Sequence, residues 1–373
     1  MAIHIRCFKI DHFRGIHNLS VENLNNINIV AGDNNSGKTS VLEALMLLRN
    51  PYDVTNILRL ARMRDINIFL SGTSLYESFI NLFPQDTYKM EISLNATCKG
   101  EFVSYKLFGE QKKILIDIED IIKKSYPAKR SSIIRELTTD IAEVDAFSGE
   151  LVYEIAGQRN SLPVVIDAYM TTSGREVNKK NYINVAYLSP IDHVSRSVCD
   201  NILRVDTYKD ICLRILQLFD PEIIDLLLLK SKGNNRPTEY IKHAKLGNMP
   251  LSTYGDGIKK VLSLANAIAQ AAGGVLLIDE VETAIHSKYY DDIFKFIVKA
   301  SIQFNVQVFI TTHNIEAIDG LLHTQDYEKQ YNNDDISVIT FQKDSSIPKT
   351  YSRVLTGRQV FENREQFGFE VRL

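Results

Sequence analysis

The sequence of 373 residues carries only four cysteines, Cys7, Cys98, Cys199 and Cys212, and no C-x-x-C pair joins any two of them. Neither a zinc site nor a disulfide framework is expected, and reduced core thiols are the default reading. Long apolar runs are missing as well. No stretch approaches the ~20 residues that span a bilayer, and the N-terminal MAIHIRCFKIDHF lacks the unbroken apolar core of a signal peptide. A cytoplasmic protein with no membrane partner is expected. Net charge is −3, so there is no global basic field, and contact with nucleic acid would need a local patch. Internal repeats and low-complexity tracts are absent, and no heptad pattern is sustained for long enough to build a rod. With 45% hydrophobic and 24% charged residues, the composition is that of an ordinary globular chain of two or three packed units.

Residues 32–39 read GDNNSGKT. The apolar run Ile27–Ala31 precedes them and Val41–Leu48 follows, so the context is strand, glycine loop, helix, which a phosphate-binding loop requires. Gly32 and Gly37 allow backbone N–H groups to turn inward, and the helix start directs its positive end at the same anion. Asp33, Asn34, Asn35, Ser36 and Ser40 complete the candidate nucleotide contacts. Lys38 supplies a point charge for the β- and γ-phosphates, and Thr39 a hydroxyl for Mg²⁺.

Far downstream, Val275-Leu276-Leu277-Ile278 reads as a buried parallel strand ending in Asp279 and Glu280. Acids at the carboxyl end of a central strand stand where α/β sheets bind ligands. Asp279 is the candidate metal carboxylate, and Glu280 the candidate base for a water in line with the γ-phosphate. A helix near Tyr289–Ser301 and a second strand, Val306–Ile310, then deliver Thr311-Thr312-His313-Asn314 to the same edge. A neutral imidazole at His313 can hydrogen-bond the γ-phosphate or the attacking water. Upstream, Ser252-Thr253-Tyr254-Gly255-Asp256-Gly257 opens a helix over Ile258–Ala272, a further candidate anion contact.

The order of these pieces resembles the ABC-type ATPases, and within them the SMC/RecF/OLD-like branch. GDNNSGKT is similar to the Walker A motif, LLIDE to Walker B with its catalytic glutamate, and TTHN to the switch-histidine loop. Phe8–Ile16 looks like the branch's first strand, whose basic residue near the nucleotide would be Arg14. STYGDG looks like a degenerate signature, with Gly255 matched and the hydroxyl falling on Thr253 or Ser252. Val281–Ser287 keeps an acid and a histidine but lacks the usual prolines. No clear Q-loop glutamine is found, and Tyr187–Asp192 is the best substitute. Phe367–Arg372 is similar to the short tails of stand-alone OLD-like ATPases.

The resemblance implies an ABC-type head, residues 1–50 and 183–373, with an inserted region at 51–182. Its implied fold class is α/β, with an antiparallel β subdomain in lobe I, a helical lobe II over 194–248 and no long coiled coil. Alternating stretches at 86–117 and 148–168 read as antiparallel strands, and Ser131–Val144 as one amphipathic helix between them. The implied chemistry is hydrolysis of ATP with Mg²⁺, two subunits meeting head to tail as a homodimer or higher oligomer. Three functions stay open: an ATPase gating a separate effector, such as a nuclease, in bacterial defence against phage; a RecF/SMC-like DNA-repair clamp; and, on weaker grounds, a self-contained OLD-type nuclease. The basic segment Lys230–Pro237 reads as a surface loop, with contact to nucleic acid as the alternative, and the acidic Asn332–Asp335 as a turn rather than a metal site.

Overall fold

A computed structural model describes residues 3–33, 35–64, 74–87, 89–117, 119, 141–167, 171–173, 180–195, 202–204, 206–230, 237–327, 334–343 and 349–367. In chain order the strands and helices begin with β1 (Ile5–Phe13), β2 (Ile16–Val21), β3 (Ile27–Ala31), α1 (Lys38–Leu45), α2 (Val54–Arg62) and α3 (Leu75–Ile80). There follow β4 (Met90–Cys98), β5 (Glu101–Asp117), β6 (Ile141–Ile155), β7 (Gln158–Asp167), β8 (Thr171–Ser173), β9 (Val185–Leu188), α4 (Asp192–Ser195) and α5 (Asp206–Phe219). Next come β10 (Ile223–Lys230), β11 (Pro237–His243), β12 (Gly247–Pro250), α6 (Asp256–Gln270), β13 (Val275–Ile278) and α7 (Tyr290–Gln303). The last described elements are β14 (Gln307–Thr312), α8 (Ile315–Leu322), β15 (Ile336–Lys343), β16 (Thr350–Thr356) and α9 (Gly357–Phe367).

The central sheet has the order β16-β15-β3-β14-β13-β9, parallel throughout except for the edge strand β16. Strands buried on both faces are mostly apolar, and β13 and β14 are buried along their whole length, with hydrogen-bonded polar residues only at the ends of β14. Because successive side chains alternate faces, each strand feeds two cores. Ile27, Ile29, Leu276, Ile278, Val308 and Ile310 pack with α5, α6, α7 and α8 on one side. Val30, Val275, Leu277 and Phe309 face the opposite way, toward α1, α2, α3 and the second sheet.

That second sheet is antiparallel, in the order β2-β1-β4-β5-β6-β7-β8. Its inner face alternates cleanly: Ile10 stands opposite Leu94, Leu94 opposite Tyr105, and Tyr105 opposite Tyr153, all four buried. The strands expected at 86–117 and 148–168 are therefore present, in a sheet that also takes in β1 and β2. Residues 141–144, read from sequence as the end of a helix, belong to β6, where Val144 pairs with Ile114. Cross-strand pairing overrides the helical spacing there, and the remainder of that expected helix lies outside the described residues.

The region 194–248 also departs from the helical reading. It contains α5, but β10, β11 and β12 form a three-stranded antiparallel sheet. The run Ile223-Ile224-Asp225-Leu226-Leu227-Leu228 suits a strand or a helix equally by apolar content, and a helix α5 packed beside β10 already supplies its cover. Of the acidic turn, Asp334 accepts from the N–H groups of Ile336 (3.2 Å) and Arg358 (2.8 Å), and Asp335 from Asn26 Nδ2 (2.8 Å). Asp334 thus caps backbone at two segments and Asp335 ties the chain to Asn26, while Asn332 and Asn333 lie outside the described residues. Residues 231–236 and 368–373, which hold most of the basic loop and of the tail, lie outside the described residues. Among the described residues the longest helix, α6, has 15 residues, and no helix is long and apolar enough to cross a membrane.

Candidate functional site

Parallel pairing brings the carboxyl ends of β9, β13, β14, β3 and β15 to one edge of the central sheet. Beyond β3 the chain turns sharply, with Gly32 at φ 147°, Asn35 at φ 65° and Gly37 at φ 102°. Gly37 is the N-cap of α1 and no side chain caps that helix, so its first N–H groups remain directed at the loop. Lys38 is almost buried and curls back, its ammonium donating to the carbonyls of Gly32 (2.8 Å) and Asp33 (2.7 Å). Burial lowers its pKa, opposed by Asp279, Glu280, Asp33 and Glu282. Asp33 and Asn35 are exposed, Ser36, Thr39 and Ser40 half-buried. Asn34 lies outside the described residues.

Asp279 is the hub. Its carboxylate accepts from Thr39 Oγ1 at 3.0 Å on each oxygen, from Thr311 Oγ1 at 2.6 Å and from Tyr187 Oη at 3.1 Å. Strand register sets this up, since Leu277 lies opposite Tyr187 on one side and Ile278 opposite Ile310 on the other. Burial, with the Asp279 charge, pushes the Tyr187 phenol well above its ordinary pKa, so it stays a donor. The next residue, Glu280, adopts φ 48°, and its N–H donates to Thr311 Oγ1 at 2.8 Å. A left-handed non-glycine residue is costly and persists only where its surroundings fix it; here the Glu280 carboxylate accepts from Thr283 Oγ1 at 3.5 Å.

His313 follows β14 and is tied to Glu282: its N–H donates to Glu282 Oε1 at 3.1 Å, and Nδ1 lies 3.1 Å from the same oxygen. Arg14, in the β1–β2 turn, sits 2.7 Å from Glu43 Oε2, and Arg64 grips the same carboxylate through Nε (2.7 Å) and Nη2 (2.9 Å). Glu43 is 1% exposed and lies on α1, so the two arginines anchor the phosphate-loop helix. Arg14 therefore stands beside the loop with its guanidinium engaged by Glu43.

Ser252, Thr253 and Gly255 stand apart from this cluster. Leu251–Thr253 form one turn of 3-10 helix, Thr253 Oγ1 donates to Pro250 O (2.7 Å), and Gly255 is the uncapped start of α6. Ser252 and Thr253 are exposed, and among the described residues no hydrogen bond joins them to the phosphate loop. Further along α6, Lys260 is fully buried, its Nζ 3.5 Å from Pro190 O, and burial pushes its pKa from 10.5 down to about 8 against the pull of Asp192, Glu282, Asp279 and Glu280.

Lys38, Thr39, Asp279 and Glu280, picked out from sequence, thus converge; Tyr187 and Thr311 come from the segments matched to the Q-loop and the switch-histidine loop, while Glu43, Arg64 and Lys260 join them with no motif to announce them. Glu282 was marked only as an acid after the strand. Among the described residues no group of three or more His, Cys, Asp or Glu side chains is arranged around a metal position. The hard oxygens of Thr39 and Asp279 nevertheless fit a magnesium ion that takes its remaining ligands from phosphate and water.

Known proteins support the same architecture. A family model described as "AAA domain, putative AbiEii toxin, Type IV TA system" matches residues 179–319, and one for a protein family of unknown function, DUF2813, matches residues 3–56. An "ATP/GTP phosphatase" of Helicobacter pylori is 24% identical over 378 aligned positions, covering 93% of this chain and 95% of that protein. Among solved structures, an Smc head bound to the C-terminal winged-helix domain of ScpA aligns at TM-score 0.52 and 13% identity, covering 96% of this chain and all of that one. The chain has the fold of an ABC-type ATPase head. A second head, with an extended coiled coil and bound to a ScpA domain derived from Pyrococcus furiosus, aligns at TM-score 0.50 and 12% identity over 98% of this chain. Among the described residues this fold carries no long coiled coil, since α6 is the longest helix.

Proposed function

We propose that this protein binds and hydrolyses ATP at the edge of its central sheet, and that it does so as a head-to-tail pair that gates a separate effector. The observation carrying the first part is the convergence of Thr39 and Asp279, at 3.0 Å, beside an uncapped helix start and Lys38. Magnesium held by Thr39 and Asp279 would neutralise charge on the β- and γ-phosphates. The Lys38 ammonium exchanges the carbonyls of Gly32 and Asp33 for phosphate oxygens, and the loop amides and Ser40 hold the rest of the chain of phosphates. Glu280 accepts a proton from water as the water oxygen bonds to the γ-phosphorus and the bond to the bridging oxygen of ADP breaks. Glu282 holds the His313 ring through Nδ1, and the imidazole serves the γ-phosphate.

The pairing follows from Ser252, Thr253 and Gly255. Among the described residues their hydroxyls and helix start have no hydrogen bond to the phosphate loop of the same chain, so they complete the nucleotide site of a second subunit. The effector is what the resemblance to stand-alone OLD-like ATPases implies; the matching family's description, which speaks of a putative toxin of a type IV toxin–antitoxin system, makes defence against phage the setting this reading favours. The test is ATP turnover and titration calorimetry on wild type and Lys38→Ala. Removing the loop's only lysine should lower ATP affinity by about ten- to a hundred-fold, the range for a charged hydrogen-bond donor. Equal affinity in the two proteins rejects the phosphate-loop assignment. Capture of nucleic acid rather than protein by the untagged chain would turn the second part toward a DNA-bound clamp.

A further inference from the structure

Lys343 is the last residue of β15, which runs parallel to β3 with Thr340 opposite Ala31. It therefore emerges at the edge where β3 passes into the phosphate loop, the side of an α/β sheet on which ligands gather. Its stem lies in a seam between two backbone segments. A Cβ added to Gly37 would come 3.9 Å from Lys343 Cε, and one added to Gly15, in the β1–β2 turn, would come 3.2 Å from Lys343 Nζ. The second approach is tighter than ordinary van der Waals contact, so a side chain at Gly15 would press on the ammonium.

Among the described residues, Arg14, Arg64 and Lys38 at the loop are already engaged. Arg14 and Arg64 share the Glu43 carboxylate, and Lys38 donates to two loop carbonyls. Lys343 is exposed, and among the described residues its ammonium makes no hydrogen bond or ion pair. A long side chain laid along a glycine seam, with its charge uncommitted and its tip beside a phosphate loop, has the geometry of a ligand contact.

We propose that Lys343 is a further nucleotide-binding residue, its ammonium set against the phosphate chain of a nucleoside triphosphate from the β1–β2 side of the loop. The assignment rests on the nucleotide reading of that loop and extends it to a strand with no motif. Being exposed, the charge acts through water and counter-ions, so its contribution is modest and falls with salt. Because it meets phosphate and not base, it serves adenine and guanine nucleotides alike.

Titration calorimetry with ATP and with GTP, at low and at high salt, tests this on wild type, Lys343→Met, Lys343→Arg and Gly15→Val. Lys343→Met is expected to weaken both nucleotides by about three- to ten-fold at low salt, with the gap closing at high salt. Lys343→Arg should keep most of the affinity, and Gly15→Val, which leaves the lysine in place but displaces its tip, should reproduce the loss. Wild-type affinity in Lys343→Met, or a loss confined to ATP, overturns the assignment while leaving the phosphate loop intact. Failure of the wild type to bind either nucleotide overturns the functional reading on which it stands.

Discussion

Thr39 Oγ1 lies 3.0 Å from both carboxylate oxygens of Asp279, although 240 residues separate the two in sequence. A hydroxyl held by a carboxylate in this way marks where a divalent cation would enter between them. Asp279→Ala should therefore abolish the magnesium dependence of ATP affinity, leaving the weaker, metal-free binding nearly as it is in wild type. Calorimetric titrations with and without magnesium read this directly. A variant whose affinity still rises on adding magnesium would place the cation elsewhere.

Glu280 is asked to act only as water attacks, so its loss should fall on kcat and spare binding. Glu280→Gln keeps the shape and the hydrogen bond from Glu280 N–H to Thr311. Turnover should drop by roughly 10²- to 10⁴-fold, the usual range for a general base, while ATP stays bound and any ATP-dependent dimer accumulates. Turnover assays together with size-resolved mass in Mg-ATP measure both. Turnover at the wild-type rate would remove Glu280 from the role.

Gly255 opens α6 at φ −65°, with nothing within 4 Å of the position a Cβ would occupy. Gly255→Arg is consequently tolerated by the fold and costs nothing in the same subunit's phosphate loop. If the start of α6 serves a partner's nucleotide, hydrolysis should be suppressed while ATP affinity per subunit stays close to wild type. Mixing this variant with Lys38→Ala gives the sharper measurement: one competent composite site should reappear in the mixed dimer. No recovery of turnover on mixing would show that the sites are not shared.

Lys260 offers a prediction in pH. Burial lowers its pKa from 10.5 to about 8, so between these values the unfolded chain holds the extra proton and stability should rise with pH. Below the lower value the full cost of burying the charge is present. Lys260→Met, similar in length and without charge, should thus stabilise the ligand-free protein at pH 7 by up to about 3 kcal/mol, an advantage that fades as pH climbs toward 10.5. Denaturant unfolding at neutral and alkaline pH distinguishes this from a constant, pH-independent difference, which would mean that the lysine's charge is not what matters.

What could be read from the sequence follows contact range. Gly32, Gly37, Lys38 and Thr39 are local: a strand, a turn and a helix start within a dozen residues determine one another, and the strand Val275–Ile278 announces itself by being apolar on both faces. Glu43 could not be found that way, nor could the contact that Tyr187 and Thr311, each inside a motif segment, make with Asp279. Tyr187 becomes an Asp279 partner only because β9 and β13 pair in one register, and a shift of one residue would turn it to the opposite face. Glu43 reads as an ordinary helix carboxylate until Arg14 and Arg64 close on it from two other segments. The strand β10 was misread for a related reason, its apolar run being compatible with either period until β11 pairs with it.

The position of β3 between β14 and β15 has a consequence in time. Asn28 Nδ2 donates to Val308 O across 280 residues, and a ribosome adding ~5–20 residues per second needs roughly 15 to 60 s to bridge that distance. Throughout that interval the phosphate-loop strand has left the exit tunnel without either of its sheet neighbours, an apolar segment open to wrong pairing or to chaperones. Translation that stops before β14 would release a chain bearing every residue of GDNNSGKT and no ordered site in which they could act.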